Sequence, residues 1–274
     1  MASPDTIVCK PTPWFLYRAA AVILMFAVFA VLFYIDGSTG YRQKNEVYFL
    51  HKTFQQAGNE FADRNAGQTL GQAEWKLHAE KQTVRFSTVS DASVDPSILP
   101  ADLKLPMPWP PILHDFDNMK SRQWNQLWLE YSAQQGFPET PVEQPYDARK
   151  INEQWIVFWI CLILASTSLF FLLRTLCRSI KVDQEALTAA NGQRIPYADL
   201  KQLDLRKWDT KGIAYVHYDG PSGRGKARID GLTYGGFHKD QGEPAEQLMR
   251  LLRSKFSGEI LEYTLVTEET GNPP

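Results

Sequence analysis

Cysteine is scarce in this chain of 274 residues, and the common catalytic and nucleotide-binding motifs are missing from it. The three cysteines, Cys9, Cys161 and Cys177, form no CxxC pair, which argues against a disulfide framework or a zinc site. No complete Walker loop, GxSxG, HExxH or GxGxxG sequence occurs. The sequence therefore predicts no catalytic residue and no cofactor.

An excess of positive charge is also lacking. The chain has 29 Lys and Arg against 31 Asp and Glu, which gives a formal net charge of −2. Proteins that bind nucleic acid usually carry a net basic surface that neutralises phosphates. The balance therefore argues against nucleic acid as a partner.

Two long apolar runs stand out against this polar background, at residues 14–35 and 155–173. Each is long enough, at ~1.5 Å rise per residue, to cover the ~30 Å hydrocarbon core of a bilayer as a helix. A buried core helix is the alternative for the second run, and a cleaved signal peptide for the first. Bulky residues at the end of the first run, where cleavage requires small ones, argue against the signal peptide. We therefore predict two transmembrane helices.

The Lys and Arg residues beside the two runs predict their orientation. The side that holds both chain ends has slightly more of them: Lys10, Arg18, Arg174, Arg178 and Lys181, against Arg42, Lys44, Arg149 and Lys150 on the other side. We therefore place both termini in the cytoplasm. Residues 1–13 are then a cytoplasmic tail, and residues 36–154 an extracytoplasmic domain.

The segment 36–154 is rich in Trp and Pro, and we predict a mainly helical domain. Asp36–Gly40 is predicted to break the first membrane helix, and helices are predicted over Tyr41–Arg64 and Met119–Gln134. A capping box at Thr69 and Gln72 predicts a short helix, and alternation from Val84 to Thr88 a strand. The prolines around Trp109 predict an extended strap, and we place Trp124 and Trp128 in the core.

One local cluster in this segment has side chains that ligate metals: His114, Asp115 and Asp117. A metal site is one interpretation. The other is that Asp117 caps the helix that follows, because a side-chain oxygen there satisfies free N–H groups. No second ligand pair occurs at helical spacing, which favours the cap.

Residues 174–262 predict short strands followed by one amphipathic helix. Strands are expected at Ile180–Asp183, Ala186–Ala189, Leu200–Trp208, Ile213–Tyr218 and around Ala227 and Ile229. Asn191-Gly192 predicts a hairpin, Asp209–Gly212 a turn and Gly220–Gly225 a glycine-rich loop. Pro244 opens the closing helix, whose apolar stripe contains Leu248 and Leu252. Residues 263–274 are predicted to be a flexible tail.

This C-terminal third resembles bacterial membrane proteins with a pleckstrin-homology-like (PH-like) domain. The resemblance rests on the EALTA, IPYADL and KWDTKGIAYVHY stretches and on the closing helix. It implies an α+β membrane protein with a C-terminal PH-like β-barrel, in a bacterial cytoplasmic (inner) membrane, although we count about six strands where the family has seven. The family's phosphoinositide site uses basic residues in the first hairpin loop. Gln184 and Glu185 stand there, which argues against phosphoinositide binding.

We expect a non-catalytic scaffold or accessory subunit, whose partners are the lipid bilayer and other membrane protein subunits. Its PH-like domain would dock a protein through aromatic and basic residues: Trp208, Tyr215, Tyr218, Arg224 and Arg228. Two alternatives stay open. The chain is a membrane-anchored enzyme that uses the extracytoplasmic domain near Asp115 and Asp117, or it is an accessory component of a transporter.

Overall fold

The computed structural model describes residues 6–87, 94–221, 223–239 and 242–263. These residues fall into two compact units. The β unit combines Met1–Phe26 with Ile163–Pro274, and the helical unit is Ala27–Leu162. The predicted α+β class is confirmed.

The first apolar run forms helix α1, Pro13–Ile35, which does not stop where a break was predicted. A π-helical segment, Asp36–Gly40, carries it without interruption into α2, Tyr41–Arg64. The predicted break is wrong, because Gly37 stays helical. Its missing side chain leaves room for Trp155, since a Cβ at Gly37 would lie 3.2 Å from Nε1 of Trp155. The hydroxyls of Ser38 and Thr39 donate to the carbonyl of Ile35, which fits the widened turn.

The second apolar run lies within helix α6, Ala148–Leu176. Its most apolar window has a mean hydropathy of 2.6 and is 11% buried, against 2.4 and 6% in the first long helix. A core helix of a soluble protein would be mostly buried, so this exposure argues against that alternative. Both helices are long and apolar enough to cross a membrane, and they are candidate spans on those two grounds.

The helical unit packs around large aromatic side chains. Its shorter helices are α3 (Gln72–Ala79), α4 (Phe116–Ser121) and α5 (Trp124–Gln135). Trp75, Trp109 and Trp128 are almost fully buried, and the indole N–H of Trp128 donates to the carbonyl of Glu139 at 2.7 Å. Trp128 is thus confirmed as a core residue, whereas Trp124 stays partly exposed and packs beside the core.

Three local predictions for this unit need correction. The single helix expected over Met119–Gln134 is two helices, because the side chain of Gln126 accepts a hydrogen bond from the N–H of Gln123 and starts α5 anew. Gly71, and not Thr69, is the N-cap of α3. The expected strand is only an extended segment. The N–H of Val84 donates to the carbonyl of Met107, next to one isolated β-bridge. Thr88 lies outside the described residues.

The β unit contains two four-stranded sheets. The first has the order β1-β2-β3-β4, with β1 at Ile7–Cys9, β2 at Ile180–Val182, β3 at Ala186–Thr188 and β4 at Arg194–Pro196. The second has the order β7-β6-β5-β8, with β5 at Leu200–Asp204, β6 at Ile213–Gly220, β7 at Gly223–Asp230 and β8 at Glu259–Leu261. The described strands form no closed barrel, because no ladder of hydrogen bonds joins the two sheets, and a 3₁₀ turn at Tyr197–Asp199 lies between β4 and β5.

The N-terminal segment, which the sequence predicts only as a tail, contributes a strand to this unit. Strand β1 pairs antiparallel with β2, and Cys9 is buried in the common core. Ile7–Cys9 are three consecutive apolar residues, which are too few to be distinguished from a coil by periodicity. The hydrogen bonds of β1 come from β2, whose residues lie about 170 positions later in the chain. Such a strand depends on tertiary structure and has no local sequence signal.

Strands β2, β3, β5, β6 and β7 agree with the prediction in kind and differ in their bounds, whereas β4 and β8 were not predicted. Strand β5 ends at Asp204, and Trp208–Lys211 form a helical turn, α7, closed by Gly212 at a φ of 62°. The glycine loop is shorter than expected because Gly220 and Gly223 already pair across the β6–β7 hairpin. The closing helix α8, Pro244–Lys255, is confirmed, with Leu248 and Leu252 buried.

Candidate functional site

Two of the five predicted docking residues are interior side chains. Trp208 is 4% exposed, and its indole N–H donates to Oε1 of Glu246 at 2.9 Å. Tyr218 is 9% exposed, and its hydroxyl lies 3.0 Å from Oε1 of Gln193. Both pack in the core of the β unit. They are therefore not available to a docking partner.

The other three predicted residues lie on strands β6 and β7. Alternation along β6 buries Ala214 and Val216 and turns Tyr215 and His217 to the opposite face. Register pairs Tyr215 with Arg228 and His217 with Lys226, so all four share that face. We call these four residues the outer sheet face. Arg224 lies farther along β7, opposite Asp219.

An amphipathic pair occupies the centre of the outer sheet face. The ammonium of Lys226 lies 3.9 Å from the centroid of the Tyr215 ring. Such a cation–π contact contributes about 0.5–1 kcal/mol at an exposed site. It holds an aromatic surface and one positive charge next to each other, and of the two the aromatic side chain is the type that is enriched at protein interfaces.

Most other charges around this face are already paired. Arg228 lies 2.6 Å from Asp230, Arg206 lies 2.9 Å from Asp204, and Arg224 lies 3.7 Å from Asp219. The hydrogen bond from Arg206 lowers the pKa of Asp204 to about 2, so this carboxylate stays ionised at any physiological pH. These pairs leave little net positive potential on the strands.

The β2–β3 turn, where the resembling family carries its basic residues, is acidic in this chain. Arg194 bridges two carboxylates there, at 2.6 Å from Asp183 and 3.1 Å from Glu185. The backbone N–H of Glu185 and the guanidinium of Arg194 both lower the pKa of Asp183. A phosphate would have to displace these carboxylates before it could bind the arginine.

The His114 cluster acts as a helix cap. Asp115 is the capping residue, because its Oδ1 accepts hydrogen bonds from the N–H groups of Asp117 at 2.9 Å and Asn118 at 3.1 Å. The prediction of Asp117 as the cap is therefore wrong by two positions: Asp115 has the extended backbone that a cap needs, and Asp117 is already helical. Among the described residues, no group of three His, Cys, Asp or Glu converges as metal ligands would.

The helical unit contains a cavity of about 510 Å³ lined by Tyr48, Phe86 and Tyr146 and by two carboxylates. Asp95 accepts from the N–H of Ser97 at 2.9 Å, and Asp147 from the N–H of Lys150 at 2.7 Å. Both acids are thus engaged as local caps. These two acids therefore give no support to the enzyme alternative.

Sequence reasoning missed a basic cleft at the end of α6. Its volume is about 510 Å³, and Arg174, Arg178 and Lys181 line it. From the sequence these cations predict only the orientation of the chain. All three lie within a span of eight residues, and this local concentration of positive charge was the available signal.

Comparison with known proteins finds no family model, no curated protein and no solved structure that matches this chain. The PH-like resemblance therefore stays a prediction that rests on the residues quoted above.

Proposed function

We propose that this chain is a two-pass membrane protein that works as a scaffold or accessory subunit and has no catalytic activity of its own. In this proposal α1 and α6 cross the bilayer, the helical unit contributes the extracytoplasmic domain, and the β unit is a cytoplasmic PH-like domain. The bacterial cytoplasmic membrane, which the resemblance implies, is the proposed location.

The observation that supports this proposal best is the pairing of β1 with β2. Strand β1 precedes the first apolar helix, and β2 follows the second. Two strands of one sheet lie on the same side of a membrane, and two spans return the chain to that side. The pairing therefore favours a two-span arrangement, and the basic residues around it favour the cytoplasm.

The proposed partner of the β unit is a protein, most simply another subunit of the same membrane complex. Tyr215 and Lys226 offer an aromatic and a cationic group on an open sheet face. The ion pairs of Arg224 and Arg228 and the two carboxylates on Arg194 argue against capture of a phosphoinositide headgroup.

Reporter fusions test the topology directly. A reporter that is active only in the cytoplasm is fused after Ser90 in one chain and after Gly271 in another, in full-length backgrounds. We expect activity from Gly271 and none from Ser90. Activity from both would contradict the two-span proposal, and the complementary pair of reporters active only outside the cytoplasm is the control.

Purification of the tagged chain in mild detergent tests the scaffold role. We expect the chain to carry a second membrane protein in fixed stoichiometry. Recovery of the chain alone from native membranes, at every detergent strength that extracts it, would contradict a subunit role.

A further inference from the structure

The basic cleft at the end of α6 is lined by residues of α6, β2, β3 and the β3–β4 turn. Arg174 lies in the last turn of α6, Arg178 follows the helix, and Lys181 points outward from β2 between two buried neighbours. The hydroxyl-bearing residues Ser179 and Thr188 line the same space, and Gly192, at a φ of 87°, forms the β3–β4 turn beside it. Among the residues that the structure describes, no carboxylate lines this cleft.

Among the described residues the three cations of the cleft form no ion pair, a property that they share with surface lysines such as Lys226 but not with the arginines of β4 and β7. The arginines at positions 194, 206, 224 and 228 all pair with a carboxylate. Three positive charges around about 510 Å³ without an acidic neighbour repel one another, unless an anion joins them.

Exposed apolar side chains of α6 lie next to the cleft residues in sequence. Leu173 and Leu176, which flank Arg174, are 53% and 47% exposed, and Phe170 is 58% exposed. A ligand that fills the cleft and follows this surface is anionic at one end and aliphatic at the other. A phospholipid has that structure, and clusters of Lys and Arg beside membrane helices recognise anionic headgroups.

A simpler explanation is that the cations only stabilise the C-terminus of α6 and set its orientation. The helix dipole places about half a negative charge there, which favours cations and disfavours an anion. Three full positive charges outweigh that half charge. The dipole also does not account for Lys181, which lies on a strand beyond the helix.

We propose that the cleft formed by Arg174, Arg178 and Lys181 binds the phosphodiester headgroup of an anionic phospholipid, with the acyl chains along Leu173 and Leu176. The inference rests on the proposed membrane-spanning role of α6. It differs from phosphoinositide capture by the β2–β3 turn, since no residue of that turn takes part.

Cys177 provides a reporter for this site because it lines the cleft and is exposed, while Cys9 and Cys161 are buried. The full chain is placed in nanodiscs of phosphatidylcholine, with or without phosphatidylglycerol, and the rate of labelling by an uncharged maleimide is measured. We expect phosphatidylglycerol to slow labelling several-fold. Cys177→Ser identifies the labelled site, and it should abolish the signal.

The variants separate the cleft from general charge effects. Arg174→Gln with Arg178→Gln should weaken the phosphatidylglycerol effect, by about fivefold in apparent affinity for each cation removed. Arg224→Gln with Arg228→Gln removes the same charge from β7 and should leave the labelling rates of Cys177 unchanged in both nanodisc compositions. Arg174→Lys with Arg178→Lys should retain most of the protection, which shows that charge at these positions is what matters.

Three outcomes would overturn the inference. The first is equal labelling of the wild type in both nanodisc compositions. The second is equal loss of protection in the cleft and β7 variants. The third is protection by inorganic phosphate in phosphatidylcholine nanodiscs that is as strong as the protection by phosphatidylglycerol. That result would assign the cleft to free phosphate and not to a lipid. Extraction of the chain from membranes by alkaline carbonate would refute the proposed membrane-spanning function itself. This result differs from the three outcomes above, so failure of the proposed function can be told apart from failure of the lipid site.

Discussion

Val8, which precedes the first apolar helix, is the antiparallel partner of Lys181, which follows the second. The neighbouring Cys9 is 2% exposed, and its thiol donates to the carbonyl of Pro244 at 3.4 Å. The carbonyl of Lys10 accepts from the N–H of Gly235 at 2.9 Å. The N-terminal segment is thus bonded both to β2 and to the segment between β7 and α8, so the C-terminal third alone is an incomplete domain.

A charge at the buried position of β1 should therefore unfold or loosen the whole β unit. We expect Cys9→Asp to lower the stability of this unit by about 3–5 kcal/mol, because an unpaired carboxylate would be buried. Pulse proteolysis of the full chain in detergent measures the effect on the fragment beyond α6. The solvent-facing change Val8→Thr is the control and should stay within about 0.5 kcal/mol. Equal protection of both variants would contradict the role of β1.

The same thiol should give the β unit a measurable pH dependence. Burial raises the pKa of Cys9 from 9.0 to about 11. The unfolded chain then loses this proton near pH 9 while the folded chain keeps it, so stability is fully present below pH 9 and falls as pH rises towards about 11. The loss is up to about 3 kcal/mol.

The control for this pH dependence is Cys9→Ala, which should have a flatter profile between pH 9 and 11. Tyr197, whose pKa burial raises to about 12, contributes a similar decline at higher pH in both chains. The comparison between the two chains isolates the thiol. Parallel profiles would show that Cys9 ionises equally in the folded and unfolded states.

Asn45 should be the most sensitive polar residue of the helical unit. It is fully buried, its Nδ2 donates to the carbonyls of Ile98 and Tyr146 at 2.9 and 2.8 Å, and its Oδ1 accepts from the N–H of Tyr146 at 2.6 Å. Asn45→Leu should cost about 3 kcal/mol or more, since three buried backbone groups lose their partners. Gln43→Ala, an exposed change on the same helix, should cost almost nothing in thermal unfolding.

Gly58 is a second sensitive position, for steric reasons. A Cβ at Gly58 would lie 2.7 Å from the Cβ of Trp124. Gly58→Ala should therefore destabilise the unit by about 1–3 kcal/mol, although alanine favours a helix. In the background of Trp124→Ala the same change should become neutral or stabilising. A double-mutant cycle of unfolding free energies measures this coupling, and additive effects would contradict the contact.

The helices of this chain could be predicted because their signals are local. Long uncharged runs marked α1 and α6, and the apolar stripe of α8 appears at spacings of three and four residues. The π-helical segment at Asp36–Gly40 could not be predicted, because glycine usually ends a helix. The reason for the glycine is its close contact with the indole of Trp155, which is distant in sequence. Strand β1 was missed for the same reason, as its partner is distant in sequence.

The two-residue alternation along a strand predicts only part of the candidate site. Tyr215 and Tyr218 are three residues apart on one strand, so alternation places them on opposite faces. That rule, applied to β6, separates the half-buried Tyr215 from the buried Tyr218. The burial of Trp208 depends on the helical turn α7 and on Glu246 of α8, which no local pattern indicates.

The last prediction concerns Tyr215 and Lys226, which we expect to matter for assembly and not for folding. Their cation–π contact is exposed and contributes only about 0.5–1 kcal/mol, so Tyr215→Ala should barely change the unfolding of the β unit. An aromatic residue and a cation that become buried by a partner commonly contribute about 2 kcal/mol or more to binding. We therefore expect Tyr215→Ala with Lys226→Glu to lose the co-purifying subunit while the chain stays folded and membrane-bound. Lys255→Glu, an equal charge change at the exposed end of α8, should retain it. Retention of the subunit by the Tyr215 and Lys226 variant would move the docking surface away from the outer sheet face.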